Sequence, residues 1–435
     1  MNGFGNVLLA GAGPAAIQTA ILFSSGFSKC IGMTSRNSNR TQRMFHELNQ
    51  NQFMLSAETK SQRHHLLEGN ASLNNFYSGF ETVEDMWDTL IMCIPCDGYL
   101  SVLSKIPSAI LKKLETIILL SPCLGSNFLV SRYFEEIGTF PEVISLSTYF
   151  AATKLADESR ALWKVVTKGV KKRIYASTNR LSFSKLENLQ NVFASIGVRC
   201  STLSTPMEAE SRSIVTYVHP PFFMSSYSLD IIFGRIPEKK YAYKLFPEGP
   251  ITPSSIHDMR NAWLEICSLL SMLNIPTFNL LQFLNDDNYP VREESLKRID
   301  MEQFESLEPI RQEYLLYIRY ASLLIDPFSQ PDDNGHYFEF SAVPFNRIYQ
   351  DGDGKWYIPR LPLEDYKRMK VICGMGEYIG IEMPTIQRLI LNFENVSNKF
   401  VEEKGRENVS ETIFYDQSEA LSLICREIDQ IITIK

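Results

Sequence analysis

Apolar and polar positions change rhythm partway along this chain. Through its first part, short apolar runs rich in β-branched residues recur: NVLLAGA from Asn6, KCIGMTS from Lys29, DTLIMCI from Asp88, ETIILLS from Glu115 and EVISLST from Glu142. Helical stretches lie among them, from Pro14 to Ser25 and around Arg40 to Asn49. Buried strands alternating with helices predict a parallel sheet with crossover helices, the doubly wound α/β arrangement. KRIYAST and the strand-like GVRCSTLS follow, and from about Pro206 the apolar spacing turns mostly helical.

Apolar positions three and four apart run through IHDMRNAWLEICSLLSML, the long EESLKRIDMEQFESLEPIRQEYLLYIRYASLLI, TIQRLILNFENVSNKFVEEK and SEALSLICREIDQIITI. Helices of this kind predict a bundle-like second domain. At 435 residues the chain exceeds the roughly 250–300 at which a single core stops growing, so two domains are expected. The change of texture lies between Lys185 and Pro206, giving an α/β domain over 1–190 and a mainly α-helical domain over 191–435. The intervening PFSQPDDNGHYFEFSAVPF is rich in turn residues and aromatics and reads as an ordered connection.

The first run ends in Gly11-Ala12-Gly13-Pro14-Ala15-Ala16, a glycine motif that follows a strand and opens a helix. That context is the dinucleotide-binding fingerprint of a Rossmann-type domain: Gly11 permits the tight turn, Gly13 lets backbone approach a pyrophosphate, and Ala16 serves helix–strand packing. The helix N-terminus, at Pro14 and Ala15, faces the phosphates. At the end of the second strand an NAD site places an acid; this chain offers Thr34, Ser35 and Arg36, with Arg40 and Arg43 behind. A carboxylate repels a 2′-phosphate, whereas guanidinium groups grip it, so the expected cofactor is NADPH, held by Arg36 and Arg40. Arg43 reads as solvated helix surface. Pro95 and Ser121 complete the candidate cofactor-binding set.

Composition narrows the partners. A net charge of −7 argues against nucleic-acid binding, and the apolar N-terminal stretch is broken by Gly and Pro and preceded by no basic residue, which argues against a membrane span or a secretory signal. Eight cysteines in mostly apolar contexts suit a reducing, cytoplasmic compartment. Cys93-Ile-Pro-Cys96 suggests a thiol pair, yet no second such motif completes a metal site.

Among six histidines, His219 stands apart. It lies in TYVHPPFFMSS, where prolines constrain the backbone and apolar neighbours keep an imidazole still and partly dry, as a proton donor or acceptor beside a hydride transfer requires. A lone histidine on an apolar face is also commonly structural. His46, His64, His65 and His257 read as surface residues, and His336 lies in the aromatic connection. Asp326 and Glu248 are candidate carboxylates to orient His219. The segment YAYKLFPEGPIT, with Tyr243, Lys244 and Glu248, suits recognition of an amino-acid-like substrate, or serves as a helix-initiating turn.

Taken together, GAGPAAIQTA, LSPCLGS, ISLSTYFAATK, GVKKRIY, YVHPPFFM, YKLFPEGPIT, NLLQFLNDDNYPVR, EYLLYIRY and IDPFSQPDDNGHYFEFSAVPF resemble the opine metallophore dehydrogenases, the staphylopine dehydrogenase group. The resemblance covers nearly the whole chain. It implies NADPH-dependent reduction of the imine formed between a nicotianamine-like amine, built from histidine and aminobutyrate, and a 2-oxo acid. It further implies His219 as acid/base, Arg36 as 2′-phosphate ligand assisted by Arg40, and a homodimer; metal binds the product, and no metal site is expected in the protein. Pyruvate-using members of the group carry an acid in a Tyr-x-x-Asp-Thr stretch, where this chain has Tyr149-Phe150-Ala151-Ala152-Thr153. Ala152 removes a repulsion worth about 1–4 kcal/mol against a second carboxylate, so 2-oxoglutarate is the expected oxo acid. Lys154 and the run Lys171 to Arg173 are further cations near that stretch, the run reading chiefly as solvated surface. Two other readings remain open from residues alone: an opine dehydrogenase acting on a free amino acid with pyruvate, and a non-catalytic NADPH-binding sensor.

Overall fold

The computed structural model describes residues 3–60, 62–180, 184–324, 331, 334–335, 341–414 and 416–433. Two compact units divide the chain, one comprising Met1–Ser213 with Ser422–Lys435 and the other Ile214–Leu421. The expected division at 190 thus falls inside the first unit. Strand Arg199–Thr202 pairs in parallel with Arg173–Thr178, and helix Pro206–Ser211 packs against the same sheet. The last helix, Ser418–Thr433, reads from sequence as part of the helical domain, yet its Arg426 reaches Glu136 of the first unit at 2.7 Å. Periodicity reports that a helix has an apolar face; it says nothing of which core that face covers.

In the first unit an eight-stranded sheet runs in the order Arg199–Thr202, Arg173–Thr178, Glu142–Leu146, Thr116–Leu119, Thr89–Met92, Asn6–Ala10, Cys30–Ser35, Asn75–Ser78. All neighbours are parallel except Arg173–Thr178 against Glu142–Leu146. The leading strand is apolar on both faces because both are covered: Val7 and Leu9 join the core that holds Ala16, Ile17, Leu189 and Phe193, while Leu8 is buried on the opposite side. From Asn6–Ala10 the chain steps to Cys30–Ser35 on one side and later to Thr89–Met92 on the other. Strand order reverses there, and in such sheets the position beyond the strands' C-terminal ends at that reversal is the usual ligand position.

A second, four-stranded sheet was not apparent in the sequence: Gly69–Ser72, Met54–Thr59, Ala161–Val170 and Ala151–Asp157, in that order. It packs on helix Pro14–Ser24, so that every residue from Ala16 to Phe23 is buried. The one amide in that stretch, Gln18, is satisfied by the added sheet and the 3-10 turn between two of its strands: it donates to the Leu67 carbonyl and accepts from the Thr167 hydroxyl, each at 2.9 Å. Such pairing is what allows a polar group to be buried.

The second unit is helical, built around Ile214–Phe223, Pro253–Met272, Pro309–Ser322, Arg360–Tyr378 and Pro384–Lys404. The long helical run expected over Glu293 to Ile325 is instead broken into Arg298–Glu302, a short 3-10 turn and Pro309–Ser322. Pro309 lacks an N–H and disfavours helical geometry in the residue before it, so Leu307 and Glu308 are extended and the helix restarts. Helix Arg360–Tyr378 escapes sequence reading because Pro362, Gly374 and Gly376 interrupt its pattern. A Cβ on Gly376 would lie 2.9 Å from the Met383 side chain, so close packing accounts for that glycine.

Candidate active site

The glycine turn of the first unit lies at the reversal of strand order. Gly11 has φ of +123°, and a Cβ there would come 2.6 Å from the Cys93 carbonyl oxygen. Only glycine lets this turn rest against the segment that follows Thr89–Met92. The Gly11 N–H donates to the Thr34 carbonyl at 2.7 Å, and the Cys93 N–H to the Ala10 carbonyl at 2.9 Å, so the second-strand end and the Cys93–Pro95 segment are both drawn to the turn. Gly13 caps helix Pro14–Ser24 without a side chain, no acid lies in the first turn, and no atom stands within 4 Å of where a Gly13 Cβ would project. The first-turn N–H groups, including that of Ala15, are thus left to an outside acceptor. Ser121 follows strand Thr116–Leu119 and is half-buried.

The arginines differ in their commitments. Arg36 is exposed, and its guanidinium has no partner among the described residues. Arg40 reaches over the glycine turn, with Nη1 3.4 Å from the Ala12 carbonyl oxygen and Nε 4.0 Å from a Glu158 carboxylate oxygen. Arg43 is occupied by Glu47 and by the Glu158 carbonyl, at 2.8 and 2.9 Å. Uncapped backbone donors beside a free guanidinium, with no acid at the strand end, fit a dinucleotide carrying a 2′-phosphate.

A buried carboxylate anchors the adjoining loop. Glu210, 1% exposed, accepts the N–H groups of Gly125 and Asn127 and the Ser145 hydroxyl, each at 2.8 Å. It caps helix Ser126–Glu136, whose own cap, Gly125, carries no side chain. Burial pushes the Glu210 carboxyl up to about 8, against the pull of the three donors. Glu210 is one of two acids in a six-residue helix, and no sequence pattern sets it apart from Glu208.

In the second unit His219 lies on helix Ile214–Phe223, with Pro220 and Pro221 in the same helix's last turn. Its side chain is 14% exposed, and the ring meets the Phe223 ring edge-on at 5.2 Å. Nδ1 stands 3.4 Å from Oδ1 of Asp365, which is fully buried on helix Arg360–Tyr378 and receives Arg368 Nη1 at 2.9 Å. Nε2 stands 3.3 Å from the Tyr243 hydroxyl. Among the described residues neither His219 Nδ1 nor Asp365 Oδ2 has a hydrogen-bond partner. Burial, and next the charge of Asp365, push the Tyr243 hydroxyl well above the ordinary phenol range, so it stays neutral.

Asp365, which the sequence does not single out, is thus a carboxylate beside His219, where Asp326 and Glu248 are the sequence candidates. Glu248 is exposed and pairs with Lys244 Nζ at 3.1 Å, and Lys244 also lies 4.6 Å over the Tyr241 ring. Asp326 and His336 lie outside the described residues. Tyr243 joins His219; Lys244 and Glu248 satisfy one another in the turn before helix Pro253–Met272, whose cap is Thr252. Ala152 belongs to the first unit, exposed on strand Ala151–Asp157. Among the described residues no group of three or more His, Cys, Asp or Glu side chains is arranged to hold a metal, all cysteines are free, and no helix is long and apolar enough to cross a membrane.

Comparison with known proteins matches this architecture along the whole chain. The staphylopine dehydrogenase family pattern spans residues 5–428. A pseudopaline synthase of Pseudomonas aeruginosa is 39% identical over 424 residues, 97% of each chain. A staphylopine synthase of Staphylococcus aureus is 38% identical over 391 residues, 89% of this chain and 90% of that one. The solved structure of NADP+-bound yersinopine dehydrogenase superposes with a TM-score of 0.90 at 32% identity, covering 99% of this chain and all of that one. The chain belongs to the staphylopine dehydrogenase family of oxidoreductases.

Proposed function

We propose that this oxidoreductase condenses a nicotianamine-like amine, built from histidine and an aminobutyrate unit, with 2-oxoglutarate, using NADPH, to yield an opine-type metallophore. The observation that carries the chemistry is His219 held between Asp365 and Tyr243 in an apolar setting. NADPH, when bound, supplies the hydride that reduces the imine carbon. Arg36 and Arg40 hold the 2′-phosphate, while Gly11, Gly13, Pro14 and Ala15 form the pyrophosphate cradle and Pro95 and Ser121 complete the cofactor-binding set.

Attack of the amine on the oxo acid gives a carbinolamine that must lose water. His219 donates the proton that lets hydroxide leave, and Asp365 stabilises the imidazolium form and fixes which ring nitrogen faces substrate. The neutral Tyr243 hydroxyl bonds Nε2 or the substrate oxygen. Tyr243, Lys244 and Glu248 contribute to amine recognition, and Ala152 leaves room and removes repulsion for a second carboxylate. The enzyme works as a cytoplasmic homodimer, with the metal bound by its product. NADPH oxidation measured with 2-oxoglutarate and with pyruvate tests this reading; turnover with pyruvate equal to or better than with 2-oxoglutarate removes the oxo-acid assignment.

A further inference from the structure

We propose that Lys168, aimed by a β-bulge beside Ala152 and joined by Lys154 and Lys60, is the subsite for the distal carboxylate of the 2-oxo diacid. This rests on the reading above that Ala152 lines the oxo-acid position.

Along the hairpin Ala151–Asp157/Ala161–Val170, Thr153 pairs with Thr167, yet Ala152 pairs with Gly169 instead of Lys168. One extra residue is therefore set opposite Ala152, and such a bulge re-aims the side chain it carries. Thr153 and Thr167 face the interior: their hydroxyls meet at 2.8 Å and connect to Gln18 and to Tyr149. By the two-residue period of a strand, Ala152 and Lys154 face outward, and both are exposed, as is Lys168. Lys60 continues the adjacent strand Met54–Thr59, its N–H donating to the Thr167 carbonyl at 3.2 Å.

On the same sheet, Lys164 is paired with Glu58. Lys60, Lys154 and Lys168 have no carboxylate partner among the described residues. Instead the charge of Lys154 is the largest influence holding the Lys168 ammonium below the ordinary lysine range, with lesser contributions from desolvation and Lys60. Beside Lys168, Ala152 and Gly169 project almost nothing, and a Cβ on Gly169 would meet no atom within 4 Å. Cations gathered around an open notch repel one another until an anion arrives, so binding a carboxylate there relieves the repulsion. A monocarboxylate oxo acid has no group to place in it. Discrimination then combines attraction by Lys168 and Lys154 with the absence of an acid at position 152.

Full-length wild type, Lys168→Met, Lys154→Met and Lys168→Arg are compared by steady-state NADPH oxidation, with a histidine–aminobutyrate amine and either 2-oxoglutarate or pyruvate; thermal unfolding verifies the fold. For Lys168→Met the ratio of kcat/KM for 2-oxoglutarate to that for pyruvate falls about 10- to 100-fold, as for loss of a charge-assisted hydrogen bond. The change is carried by KM, Lys154→Met shifts the ratio in the same direction, and Lys168→Arg restores much of it. Were wild type to prefer 2-oxoglutarate while the methionine variants left that ratio unchanged, the subsite would be overturned with the substrate reading intact. A wild-type preference for pyruvate overturns the substrate reading itself.

Discussion

Replacing Asp365 by Asn tests whether the buried carboxylate serves the imidazole. The change keeps the side-chain shape and removes one negative charge 3.4 Å from His219 Nδ1. At an effective dielectric constant of about 20, an imidazolium at that distance gains about 5 kcal/mol from the carboxylate. Arg368, 2.9 Å from the same oxygen, offsets part of this, leaving about 2–4 kcal/mol, which corresponds to a loss in kcat of about 30- to 1000-fold. His219→Ala lowers turnover by about 10²–10⁴-fold with NADPH binding retained.

The decisive comparison is the double variant. If Asp365 acts through His219, Asp365→Asn adds little once the imidazole is gone. Stopped-flow NADPH oxidation gives the rates, and fluorescence titration with thermal unfolding shows that folding and cofactor binding survive. A kcat for Asp365→Asn within about threefold of wild type, or a full additional loss in the double variant, refutes the assignment and makes Asp365 a partner of Arg368 alone.

Further outcomes are expected. Arg36→Ala weakens NADPH binding about 10- to 100-fold and NADH binding far less, since the lost contacts are charge-assisted bonds to a 2′-phosphate; titration of both coenzymes checks it. Ala152→Asp shifts preference toward pyruvate by an amount equivalent to about 1–4 kcal/mol, read from kcat/KM with each oxo acid. Because the Glu210 carboxyl is raised from 4.5 to about 8, the folded state holds its proton more tightly than the unfolded chain. The associated stability is therefore full at low pH and is lost as pH rises from 4.5 through about 8. Wild-type Tm should decline over that window more steeply than that of Glu210→Gln, and parallel curves would contradict the assignment.

Legibility followed the range of the constraint. Asn6–Ala10, the turn at Gly11 and the start of helix Pro14–Ser24 lie within one short stretch, so a buried strand, a positive φ and an uncapped helix leave their marks side by side. Arg36 is visible for the same reason: it directly follows the neighbouring strand Cys30–Ser35. The four-stranded sheet is different, for its strands come from separate stretches and pair into a layer that packs on helix Pro14–Ser24, and Gln18 explains itself only once Thr167 and Leu67 stand beside it. Asp365 and Glu210 each lie close to another acid, Glu364 and Glu208, in unremarkable segments. Asp365 has Arg368 one turn along its own helix but meets His219 only from another, and Glu210 meets the Gly125–Asn127 backbone from across the sheet's loops. Local backbone chemistry is written in consecutive residues; the electrostatics of a buried site is a sum over neighbours that the chain's order does not record.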